Sequence, residues 1–165
     1  MKGTRSHVVL TCGVAGSGKT TFAKQLEASG FARLSIDDEV WRRISSGVLT
    51  PEADTRLVSL SIEEEIRARL VDLVRQGRNV VVDFSFPARS SRDAYKRIVE
   101  ENGGTVELVY FRLSPEIAHA RARQDALDST SSNDPVSVDR YIPAFEVPEE
   151  DEEPIVIDAF SGGIL

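Results

Sequence analysis

Gly13-Val14-Ala15-Gly16-Ser17-Gly18-Lys19-Thr20 sets three glycines, a lysine and hydroxyls in eight consecutive positions, with the spacing G-x-x-x-x-G-K-T. That order suits phosphate. Glycines let backbone N–H groups close around an anion, and a helix that follows aims its positive dipole end at the same place. Lys19 then reaches the β- and γ-phosphates, and the Thr20 hydroxyl suits Mg²⁺. An apolar run, His7 to Thr11, precedes the loop, and a helix-forming segment, Thr21 to Ala28, follows it. Contacts to a bound nucleotide are therefore expected from Gly13, Ala15, Gly16, Ser17, Gly18, Lys19, Thr20 and Thr21.

Transfer of a phosphoryl group also needs a metal, cations around the phosphate oxygens, and a residue that prepares the acceptor. Asp83 ends a run of three valines, as a Walker-B aspartate does; its role is to hold Mg²⁺, to meet substrate, or only to cap the next element. Asp37 follows a second apolar segment and can accept the proton of an acceptor hydroxyl. Asp38 is its rival, and either can be an N-cap. Arg121 and Arg123 precede a small, polar stretch, Asp128 to Pro135, and suit a lid closing over phosphates. Two positions apart on a helix they point different ways, and Arg121 is the preferred lid residue. Arg89 and Arg92 either clamp an anionic acceptor or decorate the first turns of a helix. Trp41, with Arg42 and Arg43, walls the acceptor pocket or belongs to the core. His7 and His119 have no metal-ligand spacing, and Cys12, the only cysteine, reads as a small buried filler rather than a reactive thiol.

The elements that must position these groups alternate. Strands are expected over His7–Thr11, Phe31–Ile36, Asn79–Asp83, Thr105–Phe111 and Ile155–Ile157. Helices are expected over Thr21–Ala28, Asp38–Ser46, about Ala53–Gln76 after the start signal Thr50-Pro51-Glu52, Pro87–Asn102, from Ser114 onward, and briefly over Ser137–Phe145. Val58, Ile62, Ile66, Leu70, Leu73 and Val74 form the apolar stripe of the longest, with Glu63 and Arg67 as an i,i+4 pair on its wet side. Such alternation gives a parallel sheet with helices on both faces, and ligands bind beyond the carboxyl ends of its strands. The glycine loop, Asp37-Asp38, Asp83 and Asp158 all occupy strand ends.

The 165 residues suffice for one domain with a full core. No apolar run approaches a membrane span and the start of the chain lacks a signal-peptide layout, so a cytoplasmic protein is expected. A net charge of −7 disfavours a broad grip on nucleic acid. The acidic run Glu149–Glu153 reads as solvated surface. No N-K-x-D segment is present for guanine.

Together, the glycine loop, Leu34-Ser35-Ile36-Asp37-Asp38-Glu39, Val80-Val81-Val82-Asp83-Phe84-Ser85-Phe86 with Arg89, Ser91 and Arg92, and Leu108-Val109-Tyr110 with Pro115 resemble the small P-loop kinases of the AAA-33 type. That group is similar to the kinase domain of polynucleotide kinase, to zeta toxin and to chloramphenicol phosphotransferase. The resemblance covers nearly the whole chain. It implies an α/β three-layer fold, a five-stranded parallel sheet in the order 2-3-1-4-5, and a lid over about 117–145. It implies ATP and Mg²⁺ as cofactors, Asp37 as general base, Asp83 near substrate or metal, and lid arginines after strand four. The activity implied is transfer of the γ-phosphate to a hydroxyl of a small molecule: a nucleoside, a sugar or an antibiotic. A nucleoside-monophosphate kinase or a polynucleotide 5′-hydroxyl kinase is the enzymatic alternative, and an ATP-binding accessory protein without transfer chemistry is the alternative of another class.

Overall fold

The computed structural model describes residues 4–50, 55–114, 116–120 and 144–159. Strands β1 (His7–Cys12), β2 (Ala32–Leu34), β3 (Val80–Val82), β4 (Thr105–Arg112) and β5 (Ile155–Asp158) alternate with helices α1 (Lys19–Ala28), α2 (Ile36–Ser45), α3 (Thr55–Arg75) and α4 (Arg89–Glu101). The five strands form one sheet in the order β2-β3-β1-β4-β5, and every neighbouring pair is parallel. Fold and strand order are those expected.

Successive side chains of a strand point to opposite faces, so a strand covered on both sides must be apolar throughout. β1 meets that demand from Val8 to Leu10 and at Cys12, and buried Thr11 is satisfied by donating its hydroxyl to the Val82 and Phe84 carbonyls at 3.1 and 2.9 Å. Val8, Leu10 and Cys12 pack with Ile62, Ile66, Leu70 and Val74 of α3 and Tyr95 and Val99 of α4. Val9 packs on the other face, with Val81, Val109, Phe111 and Ala23. These two cores make three layers, with β1 in the middle and its carboxyl end feeding the glycine loop. Among the described residues no helix is long and apolar enough to cross a membrane.

Four local expectations are corrected. α2 starts at Ile36, two residues early, because Ser35 caps it: its Oγ accepts the Asp38 N–H at 3.3 Å. Neither aspartate is therefore the cap; both sit in the first turn, where the dipole favours negative charge. Trp41 is in neither core nor cleft and is 56% exposed. The inward face of α2 is taken by Ile36 and Val40, and the next residue is turned about 100° away. Asp158 ends the outermost strand, where it accepts from Arg112, far from the β1–β3 ends. The acidic run is not simply solvated, because Glu152 is buried against Arg92. The expected Pro51 start, and residues 137–143 of the short helix expected over Ser137–Phe145, lie outside the described residues.

Candidate active site

The glycine loop leaves β1 on a backbone that only glycine tolerates. Gly13 has φ +152°, and a Cβ there would approach Ser17 Oγ to 2.8 Å and the Phe111 carbonyl oxygen to 2.9 Å. Gly18 is left-handed at the N-cap of α1, with φ 98°. Its position at the helix start turns the free N–H groups of the first turn toward the loop. The Gly13 N–H donates to the Ser85 carbonyl at 3.1 Å, which ties the loop to the segment after β3.

Lys19 lies over this cradle. Its ammonium donates to the Val14 carbonyl at 2.7 Å and to Ser17 Oγ at 3.4 Å. No carboxylate among the described residues makes an ion pair with it. Burial pushes its pKa down to about 8, against the pull of the Asp83 and Asp37 carboxylates. A buried cation facing carbonyl and hydroxyl oxygens alone fits a site for anionic phosphate.

Beside it, Thr20 Oγ1 and Asp83 Oδ1 are 3.3 Å apart. Burial raises the Asp83 pKa, opposed by Arg33, Thr20 and Lys19. Arg33 donates to Asp83 Oδ2 at 2.8 Å and also engages Asp38 and Glu27. Among the described residues no group of three or more His, Cys, Asp or Glu side chains could cage a metal. One hydroxyl and one carboxylate still fit Mg²⁺, which keeps waters and completes its octahedron with substrate phosphates.

A cleft of about 550 Å³ opens over these groups. Ala15, Gly16, Lys19 and Thr20 form its floor, and Ile36 and Asp37 one wall. Helix phase separates the two aspartates: Asp37 lines the cleft, while Asp38 is bound by Arg33. Ser59 and Glu63 of α3 also line it, and Phe84, Ser85, Phe86, Pro87 and Ser91 complete it. Glu63 was missed as a cleft residue because its pairing with Arg67 reads as a solvent-side ion pair. The signal was its place beside Ile62, at the edge of the apolar stripe.

Arg89 and Arg92 are not brought to the cleft. Arg92 is almost fully buried, donates to Glu152 at 2.6 Å, and meets the Phe86 and Glu146 carbonyls at 2.9 Å each. Arg89 pairs with Glu149 and Asp151. Both hold the acidic segment against α4. Cys12 is a buried filler, with burial raising its pKa to about 11. Arg121 and Arg123 lie outside the described residues, as does Asp128–Pro135.

The AAA-33 family profile, an AAA domain, matches residues 8–148. A UPF0200 protein of Pyrobaculum aerophilum is 30% identical over 139 residues, covering 82% of this chain and 74% of that protein. Among solved structures, a gluconokinase from Sinorhizobium meliloti 1021 superposes with a TM-score of 0.58 at 20% identity, over 96% of this chain and 85% of that one. A chain of the Pnkp1/Rnl/Hen1 RNA repair complex superposes with a TM-score of 0.68 at 17% identity, over 84% of this chain and 43% of that one. With its phosphate cradle, its strand order and its match over most of its length, this chain belongs to the AAA-33 family.

Proposed function

We propose that the protein transfers the γ-phosphate of ATP to a hydroxyl of a small molecule, such as a nucleoside, a sugar or an antibiotic. The observation that carries this is the placing of Asp37 and Lys19 in one cleft, with Asp38 tied away by Arg33. Loop N–H groups and Lys19 hold the phosphate chain. Thr20 and Asp83 hold Mg²⁺, which when bound offsets the charge of the transferring phosphate. Asp37 takes the acceptor's proton as its oxygen bonds to the γ-phosphorus and the bond to the β-phosphate oxygen breaks. Arg121 is the proposed lid residue, within a lid over about 117–145 of an enzyme that draws on cytoplasmic ATP.

The fold shared with a gluconokinase supports a small hydroxyl acceptor. A nucleoside-monophosphate or polynucleotide acceptor would need arginines on its phosphate, and Arg89 and Arg92 are committed to carboxylates. The test is acceptor-dependent ADP release with ATP and Mg²⁺. Asp37→Asn should lower kcat by about 10²–10⁴-fold and leave ATP affinity within a few-fold. Equal turnover in the variant would remove Asp37 as base. A wild-type protein that binds ATP but transfers to no acceptor would instead be a binding module.

A further inference from the structure

We propose that Glu63 anchors the acceptor, and that the acceptor it selects is a neutral, hydroxyl-rich molecule of sugar size; this rests on the phosphotransfer reading above. Glu63 stands on α3 and lines the cleft together with Asp37 and the glycine loop. Both of its hydrogen bonds use one oxygen. Tyr95 Oη donates to Oε1 at 3.2 Å, and Arg67 Nη2 donates to the same atom at 3.0 Å. Oε2 receives no hydrogen bond from any described residue, and the side chain is 27% exposed. One oxygen is thus fixed and the other offered to the cleft's contents.

The fixing groups are themselves held. Tyr95 is fully buried, with its ring edge-on to Phe84 at 5.6 Å and to Phe86 at 4.9 Å. The Arg67 guanidinium lies 5.2 Å over the same ring. Such a carboxylate is a strong acceptor for an O–H donor. Its charge is already balanced by Arg67, so it gives little net attraction to an ammonium.

The rest of the cleft points the same way. Ser59, Ser85 and Ser91 line it with hydroxyls, and half-buried Phe84 adds an apolar face. Polar edges around an apolar face suit a ring bearing hydroxyls. Among the described residues that line the cleft, Lys19 alone is a cation. Among the described residues, Arg33 is bound to Asp83 and Asp38, Arg67 to Glu63, and Arg89 and Arg92 to the acidic segment. Lys19 belongs to the phosphate end. A phosphate or carboxylate on the acceptor would therefore face Asp37 with no counter-charge from those residues.

The experiment has two arms. Calorimetry with MgATP first establishes nucleotide binding; its absence overturns the phosphotransfer reading itself. ADP release is then measured with D-glucose, D-ribose and myo-inositol, and in parallel with gluconate, CMP, a 5′-hydroxyl oligonucleotide and kanamycin. At least one neutral polyol is expected to raise ADP release tenfold or more above the acceptor-free rate. Glu63→Gln should raise the KM for that polyol about tenfold and leave the ATP KM within twofold. Tyr95→Phe, which keeps the ring packing, should raise the polyol KM about threefold, and Glu63→Asp should recover part of the loss. A protein that binds MgATP yet responds to no neutral polyol, or responds better to an anionic acceptor or to kanamycin, overturns this inference alone. So does a polyol KM unchanged in Glu63→Gln.

Discussion

Lys19 and Arg92 are both buried cations, yet one has no carboxylate partner among the described residues and the other has a complete set. Arg92 gives Glu152 a two-pronged contact, Nε to Oε2 at 2.6 Å and Nη2 to Oε1 at 3.0 Å, and its remaining donor meets two carbonyls. Lys19 meets one carbonyl and one hydroxyl, and burial weakens its proton affinity. The difference separates structure from function. A buried charge whose partners lie within the fold is used up in holding it together. One that touches no carboxylate directly awaits a ligand that brings the counter-charge into contact.

The sharpest way to break this comparison is to treat the arginine as the lysine is treated. Arg92→Met strands Glu152 in a buried position, and breaking such a pair costs about 3–5 kcal/mol. Denaturant unfolding should show that loss, with the segment around Glu146 released from Phe86. Little change would mean that Arg92 is not the strut. Burial of Lys19 predicts a smaller, graded effect. In the free protein the ammonium deprotonates above about pH 8, whereas phosphate favours the protonated form. ATP affinity should be flat below pH 8 and fall by up to about tenfold per unit above it, with proton uptake on binding. The ligand-free protein should gain stability between about pH 8 and the unfolded value of 10.5, because the cost of burying the charge is relieved there. Affinities measured from pH 6.5 to 9.5 that do not change would contradict the burial. Smallest of all is Arg89→Ala. Its pairs with Glu149 and Asp151 are exposed, so the melting temperature should hardly move.

What could be read from the sequence was local. The glycine loop declares itself because its chemistry needs eight consecutive residues, and the stripe from Ile62 to Val74 because helical period is a local property. The sheet alternation followed from strands and helices taken in turn. Asp37 and Asp38 could not be told apart without the phase of α2, and that phase was set by Ser35 rather than by either aspartate. The strut between Arg92 and Glu152 joins residues 60 positions apart, so an acidic run gave no hint of it. Glu63 was hidden for the same reason: its i,i+4 partner was visible, but Tyr95 and the cleft across from it were not.

The central claim is that the loop from Gly13 to Thr20 holds a nucleoside triphosphate by means of Lys19. Titration calorimetry with ATP and Mg²⁺ at pH 7 tests it most directly. Saturable one-to-one binding is predicted for the wild type, and its loss in Lys19→Ala with an unchanged circular dichroism spectrum. A wild type that gives no binding heat at several temperatures and shows no thermal shift with ATP, or a Lys19→Ala variant that binds as tightly, would contradict it.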